Sequence, residues 1–284
     1  MYDTSTLIHY QLAEDVVAFS TTRHAPYPVE HPWPKDDATF AEFSLTHYNG
    51  DQPLRVQRAR QWLTHQLDVP DEALIIPHQT HSSCIHCVDA SYQGLSASDK
   101  AKFLEGVDGL ITSCSGLCVG VSTADCVPVL LYDPQHKVVA AIHAGWRGTV
   151  AKITSRAVEM MSHYYGSSPA GLHAVIGPSI GVEAYEVGEE VVMAFLQAGF
   201  PQSVVEPAAV HPAAPLTKGS PSIHNQRPHL DLWAANRYLL LEAGLSPTNV
   251  HLSGICTYTH HRHFFSARRL GIRSGRIYTG IMLR

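Results

Sequence analysis

Two apolar runs of similar length stand on either side of one short polar break: Val127–Tyr132 and Val138–His143 flank Asp133-Pro134-Gln135-His136-Lys137. Each run is strand-sized and apolar, and the break between them carries turn chemistry, so the pair predicts a β-hairpin. The second run ends in Ala144-Gly145-Trp146-Arg147-Gly148-Thr149, which passes directly into a helical pattern. Such a hairpin brings Cys126, just before its first strand, and His143, at the close of its second, to the same open end. About six residues lie on each side of the turn, so the two positions are level.

Further strand-sized runs occur at Val16–Ser20, Leu74–Ile76, Cys84–Val88, Gly109–Thr112, Cys118–Ser122, Leu172–Ile176 and Arg276–Met282. Three segments carry helical periodicity instead. Pro53–Leu67 sets Val56, Ala59, Leu63 and Leu67 on one face. Thr149–Tyr165 does the same with Val150, Ile153, Ala157, Val158, Met161 and Tyr165, and it closes at Gly166. Leu232–Ala243 follows Asp231 as N-cap and stops at Gly244, and a weaker pattern covers Glu189–Gln197. Ala25–Asp37 and the Pro-, Ala-, Ser- and His-rich stretch Phe200–His229 read as irregular loops. No internal repeat divides the chain. The expectation is one domain of mixed α/β class over residues 1–284.

A formal net charge of −5 leaves no basic surplus to displace phosphate counterions, which argues against a nucleic-acid partner. No run approaches the roughly 18 apolar residues of a membrane span, and the first residues lack a secretory signal, so a cytoplasmic protein with no membrane partner is expected. In that setting the six Cys are expected to be reduced thiols. Cys84 and Cys87 could be spelled with Cys114 and Cys118 as a zinc site, but an odd separation on a strand points the first two to opposite faces. No Gly-rich nucleotide fingerprint is present. The 19 His are the informative count, because imidazole is the commonest metal ligand and the main proton carrier near neutral pH.

Cys126 and His143 need a third partner to hold a metal, and Pro77–Ser83 offers His78 and His81. One thiolate and two imidazoles suit Zn²⁺ and leave a coordination position for substrate. The same residues read equally as a small buried thiol with polar caps, or as a metal-free nucleophile and base.

Several phrases occur in a fixed order: QTHS at 79–82, DGLIT at 108–112, ADCVPVLL at 124–131, IHAGWRGT at 142–149, IGPSI with a following YEV, Asp231 with Asn236, FFSARR at 264–269, and Gly275-Arg276. The series closely resembles the laccase-domain, or polyphenol oxidase, family of YfiH-like proteins, later described as purine nucleoside phosphorylases. The resemblance implies metal ligands at His81, Cys126 and His143, holding zinc, or copper. It implies central mixed β-sheets flanked by helices, similar to the cysteine-hydrolase-like catalytic domains of bacterial toxins. It also implies phosphorolysis of adenosine, inosine or methylthioadenosine, with adenosine deamination beside it and phenol oxidation reported for some members. A purine nucleoside and phosphate are thus the expected partners. The chain departs from the family pattern after Thr21-Thr22-Arg23, at Thr46, and at Ala267, all on the expected substrate rim.

Phosphate is held best by Arg forks and backbone amides. Arg147, in a Gly-flanked turn, is the first candidate, and Arg23 follows by resemblance. Asp125 and Asp108 are the carboxylates nearest the proposed metal in sequence, for proton transfer or for substrate contact. Rival readings are a metal-free Cys126–His143 hydrolase, a copper laccase and a non-enzymatic partner protein. The His-rich stretch 257–265 is expected to be a solvated polar loop rather than a copper cluster.

Overall fold

The computed structural model describes residues 6–28, 40, 42–46, 48–205 and 227–284. Eleven strands lie in two mixed sheets among these residues. The five-stranded sheet is built from β1 (Leu7–Tyr10), β2 (Val16–Thr21), β3 (Leu74–Ile75), β6 (Cys118–Thr123) and β11 (Ile277–Leu283), in the order β1-β2-β11-β6-β3. The six-stranded sheet uses β4 (Ile85–Cys87), β5 (Gly109–Thr112), β7 (Val127–Asp133), β8 (Val138–Ala144), β9 (His173–Ile176) and β10 (Val250–Leu252), in the order β10-β9-β7-β8-β5-β4.

The sheets pack face to face. Val16, Ala18, Val119, Val121 and Ile281 from one meet Leu110, Leu130, Tyr132, Val139, Ala141 and Val175 from the other. Helix α1 (Pro53–Leu67) covers the outer face of the five-stranded sheet, setting Ala59 and Leu63 against Phe19, Tyr278 and Met282. On the far side, α4 (Ile153–Tyr165), α5 (Glu189–Gln197) and α7 (Leu232–Glu242) cover Val129, Leu131, Ala140 and Ile142. With both faces covered, every residue of β7 and β8 is buried, which is why those runs read as unbroken apolar sequence rather than as alternation. Each such fully buried Leu, Ile or Val stabilises the fold by about 1.5–3 kcal/mol.

The expected hairpin is present, pairing Val127 with Ala144 and Pro128 with His143. Asp133 organises its turn: Oδ1 accepts from the amides of Gln135 and His136, and Lys137 adopts φ 52°. The helices at 53–67 and 189–197 fall where periodicity places them, and Asp231 caps α7 through the amide of Ala234. The helix expected over 149–165 is instead two, α3 (Trp146–Val150) and α4, broken where Lys152 turns left-handed. Buried Asn236 holds that break, accepting from the Thr154 hydroxyl and donating to that of Thr149.

Strands β1 and β10 and helix α2 (Ala97–Leu104) carried no expectation. The strands are short, and α2 buries no residue, so its apolar signal is weak. Two further short helices, α6 (Gln202–Val205) and α8 (Ala267–Leu270), complete the set. Of the two expected loops, residues 29–39 and 206–226 lie outside the described residues. Among the described residues, no helix is long and apolar enough to cross a membrane.

One connection matters most for the site. The chain leaves the five-stranded sheet at Thr123 and enters the six-stranded one at Val127, and it makes the crossing through Ala124-Asp125-Cys126 with Asp125 at φ 89°.

Candidate functional site

His143 is the penultimate residue of β8 and has the same parity as Val139 and Ala141, so it points between the two sheets. Cys126 sits one step before β7, opposite Gly145. His81 arrives from the other sheet, in the loop that follows β3. The ligating atoms of His81, Cys126 and His143 lie within 4.8 Å of one another, and the two imidazoles are 5.0 Å apart, edge to face. His78, the other sequence candidate, is turned away: its Nδ1 lies 2.9 Å from a Glu105 carboxylate oxygen.

The loop carrying His81 is held in place at both ends. The Gln79 side chain donates to the Ser122 carbonyl at 2.9 Å and accepts from the Ser122 amide at 2.7 Å, completing a bridge to β6. Asp108, fully buried just before β5, accepts from the amides of Thr80, His81 and Ser82 and from the Ser82 hydroxyl. Its Oδ1 also accepts from His143 Nδ1 at 2.6 Å. That bond fixes the proton on Nδ1 and leaves Nε2 for Cys126 and His81, the arrangement that orients metal-ligating histidines. His81 itself takes φ 62°, a turn that lets all three consecutive amides reach one carboxylate.

The electrostatics favour a charged cluster. Burial works to raise the Cys126 thiol, but the charge and hydrogen bonds of His143 and His81 prevail and hold it down at about 6. Burial works to lower His143, but Cys126 and Asp108 prevail and hold it up at about 9. Burial likewise opposes ionisation of Asp108, yet its bonds from His143 and Ser82 keep its pKa below the usual carboxylate value. A thiolate, an imidazole whose Nε2 faces that thiolate and a second imidazole match the donor preference of Zn²⁺ and of copper once a metal displaces the Nε2 proton. A β-carbon built on Gly145 would lie 3.0 Å from Cys126 Sγ and 3.1 Å from His81 Cδ2, so glycine is needed beneath this cluster. The residues therefore fit a metal ion. Among the described residues, no other group of three or more His, Cys, Asp or Glu converges in this way.

The remaining sequence candidates take different places. Arg147 is exposed on α3, its guanidinium 4.3 Å from the Trp146 ring. A helix of five residues adds little dipole, so any anion there depends on the guanidinium itself. Arg23 is 6% exposed, donates to the His261 carbonyl and lies 5.2 Å from the Phe265 ring. The stretch 257–265 is a solvated loop only in its middle, where Thr259 and Arg262 are exposed: Thr257, Phe264 and Phe265 are buried and the His263 carbonyl accepts from the Arg23 amide. Asp125 is buried, and both its carboxylate oxygens are engaged, by the Thr257 hydroxyl and the Arg268 amide.

Three residues near Cys126 were not singled out from sequence. The Arg268 guanidinium lies 5.3 Å from the Tyr185 ring and donates to the Glu186 carbonyl. Burial raises the Tyr185 phenol, with Cys126 and Asp125 adding to the rise and Arg268 and Arg147 opposing it. Burial lowers Arg276, against the charges of Cys126 and Asp125. All three fall within phrases already noted, YEV, FFSARR and GR, so the signal was present but had no chemistry attached to it. The six cysteines are free, and Cys84 and Cys87 pack into separate cores, as their odd spacing requires.

Comparison with known proteins adds independent findings. A family model described as multi-copper polyphenol oxidoreductase laccase matches residues 28–284. Over 247 residues the chain is 43% identical to a purine nucleoside phosphorylase of Bacteroides thetaiotaomicron, with 87% of each chain covered. It is 40% identical over 281 residues to adenosine deaminase RL5 of an unknown prokaryotic organism, with 99% of each covered. The crystal structure of YlmD from Geobacillus stearothermophilus matches with a TM-score of 0.79 at 30% identity, over 100% of this chain and 98% of that one.

Proposed function

The chain belongs to the family described as multi-copper polyphenol oxidoreductase laccase, and on that premise we propose that it is a metal-dependent purine nucleoside phosphorylase. Residues 1–284 act as one domain in this reading, in the cytoplasm, on adenosine, inosine or methylthioadenosine with phosphate. The observation that carries it is the convergence of His81, Cys126 and His143, with Asp108 behind His143, beside an exposed Arg147. The names of the relatives support the substrate class. One three-donor cluster among the described residues supports a single ion, zinc by preference, over a four-copper oxidase.

Bound at these three residues, zinc supplies Lewis-acid polarisation next to the substrate. Arg147 offers a fork for the phosphate, in preference to Arg23, whose guanidinium is spent on its own chain. His143 keeps its Nδ1 proton on Asp108, which turns the Nε2 lone pair toward the metal position. Asp108 itself is a positioning residue, since it has no exposed surface for an anion.

The second reading is a metal-free hydrolase, for which the alignment of Asp108, His143 and Cys126 is the favouring observation. Product analysis with adenosine and phosphate separates the readings when coupled to a metal count. Wild type should release adenine and ribose 1-phosphate, or inosine, with near-stoichiometric metal, and Cys126→Ala should release neither. Equal turnover by Cys126→Ala overturns the site, and full activity without metal favours the hydrolase.

A further inference from the structure

We infer that Asp125 is a positioning residue that ties the Cys126 crossing to the two segments forming the rim, and not a proton carrier. Three connections converge on it. Its Oδ1 accepts from the Thr257 hydroxyl at 2.7 Å, its Oδ2 from the Arg268 amide at 2.6 Å, and its carbonyl from the Ile180 amide at 2.9 Å. These partners are themselves linked, because Ser179 accepts from the Thr257 amide and donates to the Ile255 carbonyl. Cys256 Sγ accepts from the Gly181 amide at 3.2 Å, and the Trp233 indole donates to the Ser179 hydroxyl at 2.7 Å. Asp125 thus sets where Cys126 stands relative to Arg268, whose guanidinium flanks Tyr185.

The backbone explains why a side chain stands here at all. At φ 89° the crossing from one sheet to the other favours glycine, and Asp and Asn are among the few residues that tolerate such values. Glycine would relieve the strain but forfeit both carboxylate ties.

The two donors also define a discriminating substitution. In Asp125→Asn the amide oxygen still accepts from the Arg268 amide. The Thr257 hydroxyl, which can donate or accept, rotates to receive the new NH₂. Both ties survive while the ionisable group is gone. In Asp125→Gly the ties go and the strain goes with them.

The inference rests on the proposed phosphorolysis for its kinetic arm only. Zinc affinity by competition with a chelating dye, phosphate KM with inosine, and kcat/KM from about pH 5 to pH 9 are measured for wild type and both variants. Asp125→Asn should stay within about fivefold of wild type in all three, with an unaltered pH profile. Asp125→Gly should bind zinc roughly tenfold more weakly and raise phosphate KM by about tenfold or more. A folded, zinc-loaded Asp125→Asn as inactive as Asp125→Gly, or an Asp125→Gly equal to wild type, overturns the inference. Should the glycine variant not fold, Thr257→Val takes its place, and an unchanged zinc affinity and phosphate KM in that variant are equally fatal. If wild type cleaves no nucleoside, the phosphorolysis reading fails while the zinc series still tests the tie.

Discussion

Asp108→Asn tests the reading of the cluster most sharply, because one oxygen becomes a donor in a place lined mainly by N–H donors. The carboxylate accepts five hydrogen bonds, from His143 Nδ1, the amides of residues 80, 81 and 82, and the Ser82 hydroxyl. With the amide nitrogen in place of Oδ2, it opposes the N–H groups of Thr80 and Ser82, and only the hydroxyl can turn to accept. With the nitrogen in place of Oδ1, it opposes the His81 amide and forces His143 to bare Nδ1 and protonate Nε2. A protonated Nε2 has no lone pair for a metal. Either way one or two part-buried donors lose their partner, at up to about 1–3 kcal/mol each. For a chain of this length the melting temperature should fall by about 3–10 °C. Zinc affinity should fall 10- to 100-fold, the usual effect of removing a carboxylate behind a ligating imidazole. Calorimetry on chelator-treated protein reads the first effect, and titration against a chromophoric chelator reads the second. A variant that melts with wild type and binds zinc equally well refutes the geometry assigned to His143.

Further outcomes follow from the same structure. Gly145→Ala places a methyl 3.0 Å from Cys126 Sγ, and should weaken zinc at least tenfold in the same titration. In metal-free protein, iodoacetamide should alkylate Cys126 with a half-maximal rate near pH 6, while buried Cys118, pushed up to about 12, stays inert until unfolding. The sign for stability is set by the same values. The Cys126 contribution, from a depressed pKa, disappears as pH falls through about 6. The His143 contribution, from a raised one, disappears as pH rises through about 9. Chemical denaturation of metal-free protein should show the ion pair's stabilisation only between these limits. Lys152→Gly, at φ 58° and ψ 36°, should gain about 0.5–1 kcal/mol, seen as a small rise in melting temperature.

Local chemistry made part of this legible before any coordinates. The hairpin follows from two apolar runs and one Asp-Pro turn, and α1 from a single amphipathic face after Pro53. The break at Lys152 was hidden, because Val150, Ile153 and Ala157 keep one apolar phase across it and the restraint comes from Asn236, far away in sequence. At the site, the motifs gave His81, Cys126 and His143. The residues alone leave His78 and His81 open, since the choice depends on Glu105 pairing with one and Asp108 gripping the amides around the other. Asp125 and Asp108 drew attention as charged neighbours of a thiol and an imidazole. Their actual partners, Thr257 and Arg268 for one and residues 80–82 for the other, are long-range contacts with no sequence periodicity.

His143 belongs to the six-stranded sheet, Cys126 to the crossing between the sheets, and His81 to a loop leaving the five-stranded one. An ion gripped by all three is a staple through the sandwich seam, so its binding free energy doubles as cohesion between the layers. Chelation should therefore loosen the mouth first, and neither layer folded by itself would retain the ion.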